Sequence, residues 1–171
     1  MSSLGKLAKV REAIDRGGDV NEKNFTGSTG LMYAMQYKHN SIVKLLLEQP
    51  MLDLNLTDSW GETALHIAVF NDNVEGMKLL LADPRLNTHN HKGKMLGYTP
   101  VMTAMVNKNE DSLRELVAHP RVDLDTRDML GRSLEDVARR KGMKRILKEE
   151  KDEKRRRMEA EERQQLENDQ V

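Results

Sequence analysis

Apolar residues fall in short clusters at helical spacing, separated by polar stretches rich in Gly, Asn, Asp and Pro. Leu7, Val10, Ala13 and Ile14 share one face, and Arg16-Gly17-Gly18 closes that helix because glycine readily takes a left-handed terminus. Ser41 opens a second cluster, Ile42 to Leu47. Gln49-Pro50 ends it, since the residue before proline is pushed out of the helical region. Glu75 to Leu81 stops at Asp83-Pro84, and Asp111 to Val117 stops at His119-Pro120. A shorter apolar helix precedes each: one with Leu31 and Ala34, one with Leu65 and Ala68, and one from Pro100 to Val106. The pattern predicts paired helices joined by polar connectors.

The pairs recur in register. Gly61-Glu62-Thr63-Ala64-Leu65-His66-Ile67-Ala68 reads as a turn glycine, a hydroxyl cap and a short helix. Its counterparts begin at Gly27, 34 residues earlier, at Gly97, 36 later, and at Gly131, a further 34 on. A period of this length marks a stacked array. The interval to Gly97 is two residues longer than the others, and the excess lies within residues 88–96. Insertions in such arrays map to loops, often on the binding face.

Thr63-Ala64-Leu65-His66-Ile67-Ala68 closely resembles the Thr-Pro-Leu-His-x-Ala signature of the ankyrin repeat, and Asp19-Val20-Asn21 resembles the family's connector. The resemblance runs from about Leu4 to Leu147. It implies an all-α ankyrin-repeat solenoid, with helix-turn-helix repeats and β-turn or hairpin fingers, followed by a charged C-terminal helix. The expected domain is 1–147: a half-repeat at 4–21, then repeats at about 24–55, 58–88, 89–125 and 128–147. The opening helix looks like the second helix of a repeat whose first is absent or very short. It would cap the stack, with Lys6, Lys9, Arg11 and Glu12 kept wet. In the last repeat Glu135 stands where Leu31, Leu65 and Val101 stood, and Leu134 is expected to take over the burial. Glu149-Glu150-Lys151 replaces the leucines of earlier second helices, as a C-terminal cap requires.

Residues 148–171 form the tail, expected as an exposed helix fraying toward Val171. Met158, Ala160 and Leu166 are its apolar residues up to Gln170, too few for a coiled-coil seam. Expected i,i+4 pairs are Glu150-Lys154, Asp152-Arg156, Glu153-Arg157 and Glu159-Arg163, each worth roughly 0.2–0.5 kcal/mol.

Composition narrows the function. Apolar residues make up 37% and charged residues 33%, which suits a thin core with a large wet surface. The absence of cysteine excludes a disulfide framework and fits a reducing compartment. No apolar run is long enough to span a bilayer, and the opening residues lack the apolar core of a secretory signal. Net charge is zero, with 12 Lys/Arg against 9 Asp/Glu in residues 139–171. That asymmetry is too small for a basic nucleic-acid stripe over the repeats. Phosphate-loop, nucleophile-elbow and cysteine-nucleophile patterns are all missing, so no enzyme activity and no cofactor are expected. His89-x-His91, with His66 or His119, falls short of a four-ligand zinc set, and no metal is expected. His66 matches the family's signature histidine, whose role is hydrogen bonding within and between fingers.

The family binds through finger tips and the concave face of its first helices. Five of the six aromatic residues, Phe25, Tyr37, Trp60, Phe70 and Tyr98, fall at those variable positions; Tyr33 is the sixth. Trp and Tyr are enriched among binding hot spots. The expected groove is Trp60, Phe70, Leu96, Tyr98 and Val106, flanked by Phe25 and Tyr37. Met95 and Leu130 stand on finger tips, and Glu62, Asn71 and Arg132 form the rim. The partner expected is another protein, presenting a helix or an extended peptide, and the chain is expected to be a monomer. A second reading places function in the tail. Arg139-Arg140-Lys141 and Lys154-Arg155-Arg156-Arg157 resemble a bipartite nuclear import signal, which would serve a nuclear cofactor touching nucleic acid or acidic proteins. The expected location is cytoplasmic, or nuclear if those clusters act. A third reading is a piece of a larger protein.

Overall fold

The computed structural model describes residues 3–168; the expected fraying at Val171 lies outside them. Among the described residues there are nine helices and no sheet. They are α1 (Ser3–Asp15), α2 (Gly30–Gln36), α3 (Asn40–Leu47), α4 (Ala64–Phe70), α5 (Val74–Ala82), α6 (Pro100–Asn107), α7 (Glu110–Ala118), α8 (Leu134–Lys141) and α9 (Lys144–Asn168). α2, α4, α6 and α8 stack as an inner layer, and α1, α3, α5, α7 and α9 as an outer one. α1 packs on α3, and among the described residues no inner helix precedes it.

Local chemistry starts each inner helix. The hydroxyls of Thr29, Thr63 and Ser133 accept from the amides of Met32, His66 and Asp136, one helical turn on. In α6 Pro100 presets the helical φ at the first position and lacks an amide donor of its own, while the buried Thr99 hydroxyl makes no capping bond. The turn between paired helices is left-handed, with φ of 54°, 51° and 59° at Lys38, Asp72 and Lys108, and 76° at Gly142.

The core is aliphatic and sulfur-rich. Leu31, Met35, Leu65, Met77, Leu80, Met102, Met105, Leu113 and Leu116 are fully buried. No aromatic residue joins them: five are exposed and Tyr98 is half-buried. Leu134 is buried and Glu135 exposed, so the expected exchange in the last repeat is observed.

Asparagines fasten the repeats together. Asn21 donates to Met51 O (2.7 Å) and accepts from Asp53 N (2.8 Å). Asn55 does the same with Arg85 and Asn87, and Asn90 with Arg121 and Asp123. The rungs read only backbone, so stacking is set by register. Asn73, at the head of α5, accepts from Gly76 N and donates to Met35 O in the previous repeat.

The rungs locate the extra residues. One residue separates Asp53 from Asn55 and Asp123 from Asp125, but two separate Asn87 from Asn90. Thr88-His89 thus stands where Leu54 and Leu124 stand elsewhere. Both polar residues are buried, and neither Thr88 Oγ1 nor His89 Nε2 has a partner. His89 stacks on His119, ring centres 4.9 Å apart. Burial, then the neighbouring His119 and Arg121 charges, push the His89 pKa down to about 4.

The start of α9 is not the free helix that the sequence implied. Glu150 is buried against α7 and pairs with Arg114, not Lys154; Lys154 Nζ donates to His119 O (2.9 Å), and Lys151 pairs with Glu135. These residues face the stack, so they bind it before each other. Glu153-Arg157 forms as expected. Asp152 and Glu159 both reach Arg155, at 3.5 and 3.8 Å, in place of Arg156 and Arg163.

Candidate binding groove

Three fingers are built alike. Asn24, Asp58 and Asp128 each accept, through Oδ1, from the amides two and four residues on. Their own carbonyls take the amides of Gly27, Gly61 and Gly131. The third finger has Gly93 in that place, and Gly97 N donates to Gly93 O across four residues rather than three (3.0 Å). The second extra residue is therefore in the finger. One backbone bond joins each finger to the next: Ser59 N to Thr26 O, Lys94 N to Trp60 O, and Met129 N to Leu96 O. The approach is close. At Gly61 (φ 72°) a Cβ would meet Lys94 Cγ at 2.7 Å and Lys94 N at 3.2 Å, so glycine is needed for conformation and space.

The long finger forms one wall of a groove of about 160 Å3. Six residues singled out from the sequence line it: Glu62, Phe70, Met95, Leu96, Tyr98 and Val106. Gly93 of the long connector and Asn107 beside Val106 line it too, as does Thr103, which the sequence did not single out. Thr103 and Asn107 stand four apart on α6, and Thr103 lies three residues before Val106, so helical spacing from Val106 was the available signal. Phe70 and Met95 remain 59% and 75% exposed, so the groove has apolar surface to offer. Burial, then the nearby Asp58 charge, raise the Glu62 pKa.

Tyr98 divides this groove from a second concavity of about 310 Å3 lined by Tyr98, Arg132, Val137, Arg140 and Lys141. Arg132 donates to Asp128 Oδ2 (2.6 Å) and to the Tyr98 hydroxyl (3.2 Å). Burial opposes the Asp128 charge, yet Arg132 and the Arg132 and Leu130 amides hold its pKa below the ordinary value. Beneath Tyr98, His66 is 1% exposed. Its Nδ1 accepts from Thr63 and its Nε2 donates to Tyr98 O (3.0 Å). Burial drives the His66 pKa to about 4, so the neutral ring is the working form.

The other anticipated residues lie elsewhere. Trp60 is 54% exposed on the second finger and does not line the groove; Phe25 and Leu130 project from the first and fourth finger tips. Tyr37 stacks on Tyr33 at 6.3 Å. Asn71 uses its amide to close α4, donating to Ile67 O (2.9 Å). Arg139, Arg140 and Lys141 belong to α8, and Lys154 to Arg157 to α9, so both basic clusters are helical. His91 donates to Gly61 O (3.1 Å), and no group of three metal-ligating side chains occurs among the described residues. No described helix is long and apolar enough to cross a membrane.

Paired helices with a capped turn and a glycine finger define a helical repeat solenoid. The family model "Ankyrin repeats (3 copies)" matches residues 1–90 and again 51–128, and the chain belongs to the ankyrin-repeat family. Similar proteins include the E3 ubiquitin-protein ligase XBAT33 of Arabidopsis thaliana, 37% identical over 58% of this chain. The human transient receptor potential cation channel subfamily A member 1 is 34% identical over 44%, and the ankyrin repeat protein FPV031 of fowlpox virus 31% over 70%. The chain spans 18%, 7% and 35% of their respective lengths. Their names differ in activity. Membership of the family implies protein–protein interaction.

Proposed function

We propose that this chain is a non-enzymatic adaptor or scaffold that holds a segment of another protein against its third finger and concave face. The observation that carries this reading is the groove itself: Phe70, Leu96, Tyr98 and Val106, scattered over residues 70–106, converge with their apolar surface uncovered. Burying one aromatic side chain of about 200 Å2, at about 25 cal/mol per Å2, returns roughly 5 kcal/mol gross. Association costs of about 4–15 kcal/mol consume most of that, so a specific complex needs more than one anchor. The exposed Phe25 and Trp60 tips would extend the contact along the fingers.

The test is a quantitative pull-down with three baits of verified fold: the intact chain, Phe70→Ala/Val106→Asp, and Arg155→Glu/Arg156→Glu/Arg157→Glu. Partners lost with the groove variant and kept with the tail variant support the adaptor reading. The reverse pattern would transfer function to the basic clusters. Substitution serves better than truncation at Leu147, which would strip Glu150 from Arg114.

A further inference from the structure

The groove and the concavity beside it differ in charge. Glu62 stands in the first, partly buried, with Asp58 close enough to raise its pKa. Arg132, Arg140 and Lys141 stand in the second. Arg132 is neutralised by Asp128, and Arg139, the neighbour of Arg140, pairs with Asp136 at 3.7 Å. Among the described residues, Arg140 and Lys141 form no ion pair. Tyr98 touches both spaces, and its hydroxyl is fixed by Arg132, so the two spaces keep one spacing. Building on the adaptor reading, we infer that the occupant is a peptide segment with an apolar anchor for the Phe70–Leu96–Val106 groove and, within a few residues, an Asp or Glu side chain for Arg140 and Lys141.

Charge complementarity carries this. A carboxylate placed at Arg140 and Lys141 gains two cations that have no counter-ion in the fold, whereas the same carboxylate turned toward Glu62 meets like charge. The surface thus sets the direction in which the segment lies as well as its composition. Both cations are at the wet end of α8, so the carboxylate adds steering and direction while the apolar anchor supplies most of the hold.

The probe is a random peptide library displayed on phage, selected against the intact chain and against two variants. Arg140→Glu/Lys141→Glu reverses the cationic concavity; Val106→Asp spoils the groove. Circular dichroism first establishes that each variant is folded. The intact chain should enrich peptides with a large apolar residue and an Asp or Glu within about four positions. The Arg140→Glu/Lys141→Glu chain should keep the apolar preference and lose the acidic one. In fluorescence polarisation, an enriched peptide with its acid replaced by Ala should bind the intact chain about tenfold more weakly, equivalent to about 1.4 kcal/mol. Enrichment of apolar residues with no acidic preference, or an acidic preference unchanged by charge reversal, overturns the inference and leaves the adaptor reading standing. No enrichment over Val106→Asp overturns both.

Discussion

At the scale of the residue, histidines set the response to acid. His66 is neutral in the fold, with a pKa near 4 against about 6.5 for the free side chain. The unfolded chain binds the proton first, so this contribution is full above pH 6.5 and is lost as pH falls toward 4. The shift corresponds to roughly 3 kcal/mol, most of it gone by pH 4.5. Urea unfolding at pH 7.5 and 4.5 should show that loss added to the one from His89, and His66→Gln should remove only the His66 share. His89 behaves in the same sense but for a different reason, since its buried Nε2 has no partner. His89→Leu restores the residue type found at positions 54 and 124. It should stabilise the chain by about 1 kcal/mol at pH 7.5, measured as a raised urea midpoint.

At the scale of the element, the hydrophobic pattern and the recurring glycine gave helix order, pairing and the aliphatic core, because each repeat solves the same burial problem. The aromatic tally also pointed outward correctly. What sequence could not give was which surface residues meet. Trp60 and Phe70 were equally good candidates, yet only Phe70 faces the space behind the third finger. That space lies behind the finger in which Gly93 stands in the Asx position and one extra residue follows, half of a two-residue excess that falls in separate places. Asn71 looked like rim chemistry but closes its own helix, a role its proximity to Ile67 O decides. Glu150 looked like a tail residue because i,i+4 spacing says nothing of a neighbouring helix. Asn73 was silent in the sequence and is a buried inter-repeat polar tie, 2% exposed with both ends of its amide engaged. Asn73→Ala should cost about 2–4 kcal/mol, a cap and a buried acceptor together. Chemical denaturation would measure it, and an effect below 1 kcal/mol would mean the tie is redundant.

At the scale of the whole molecule, stability passes from repeat to repeat through neighbours alone. The ends should therefore open first, unless something clamps them. At the C-terminal end the clamp is α9, held to α7 by Glu150–Arg114 and by Lys154 on the His119 carbonyl. Arg114→Ala leaves a buried carboxylate unpaired. In hydrogen exchange, amides of α8 and the first turns of α9 should lose protection while α4 and α5 keep theirs. Uniform loss along the chain would show that the array opens as one unit.

The long third finger has a consequence for stoichiometry. Of the four fingers, only this one spans four residues from its turn acceptor to its glycine. A surface made of near-identical modules might be expected to take guests along its length. Here one module alone has the extra residue in its finger, so the adaptor reading predicts a monovalent array despite its repetition. Titration calorimetry should give one guest per chain on a simple hyperbolic isotherm. Higher avidity would then have to come from linking chains, never from adding repeats of the ordinary length.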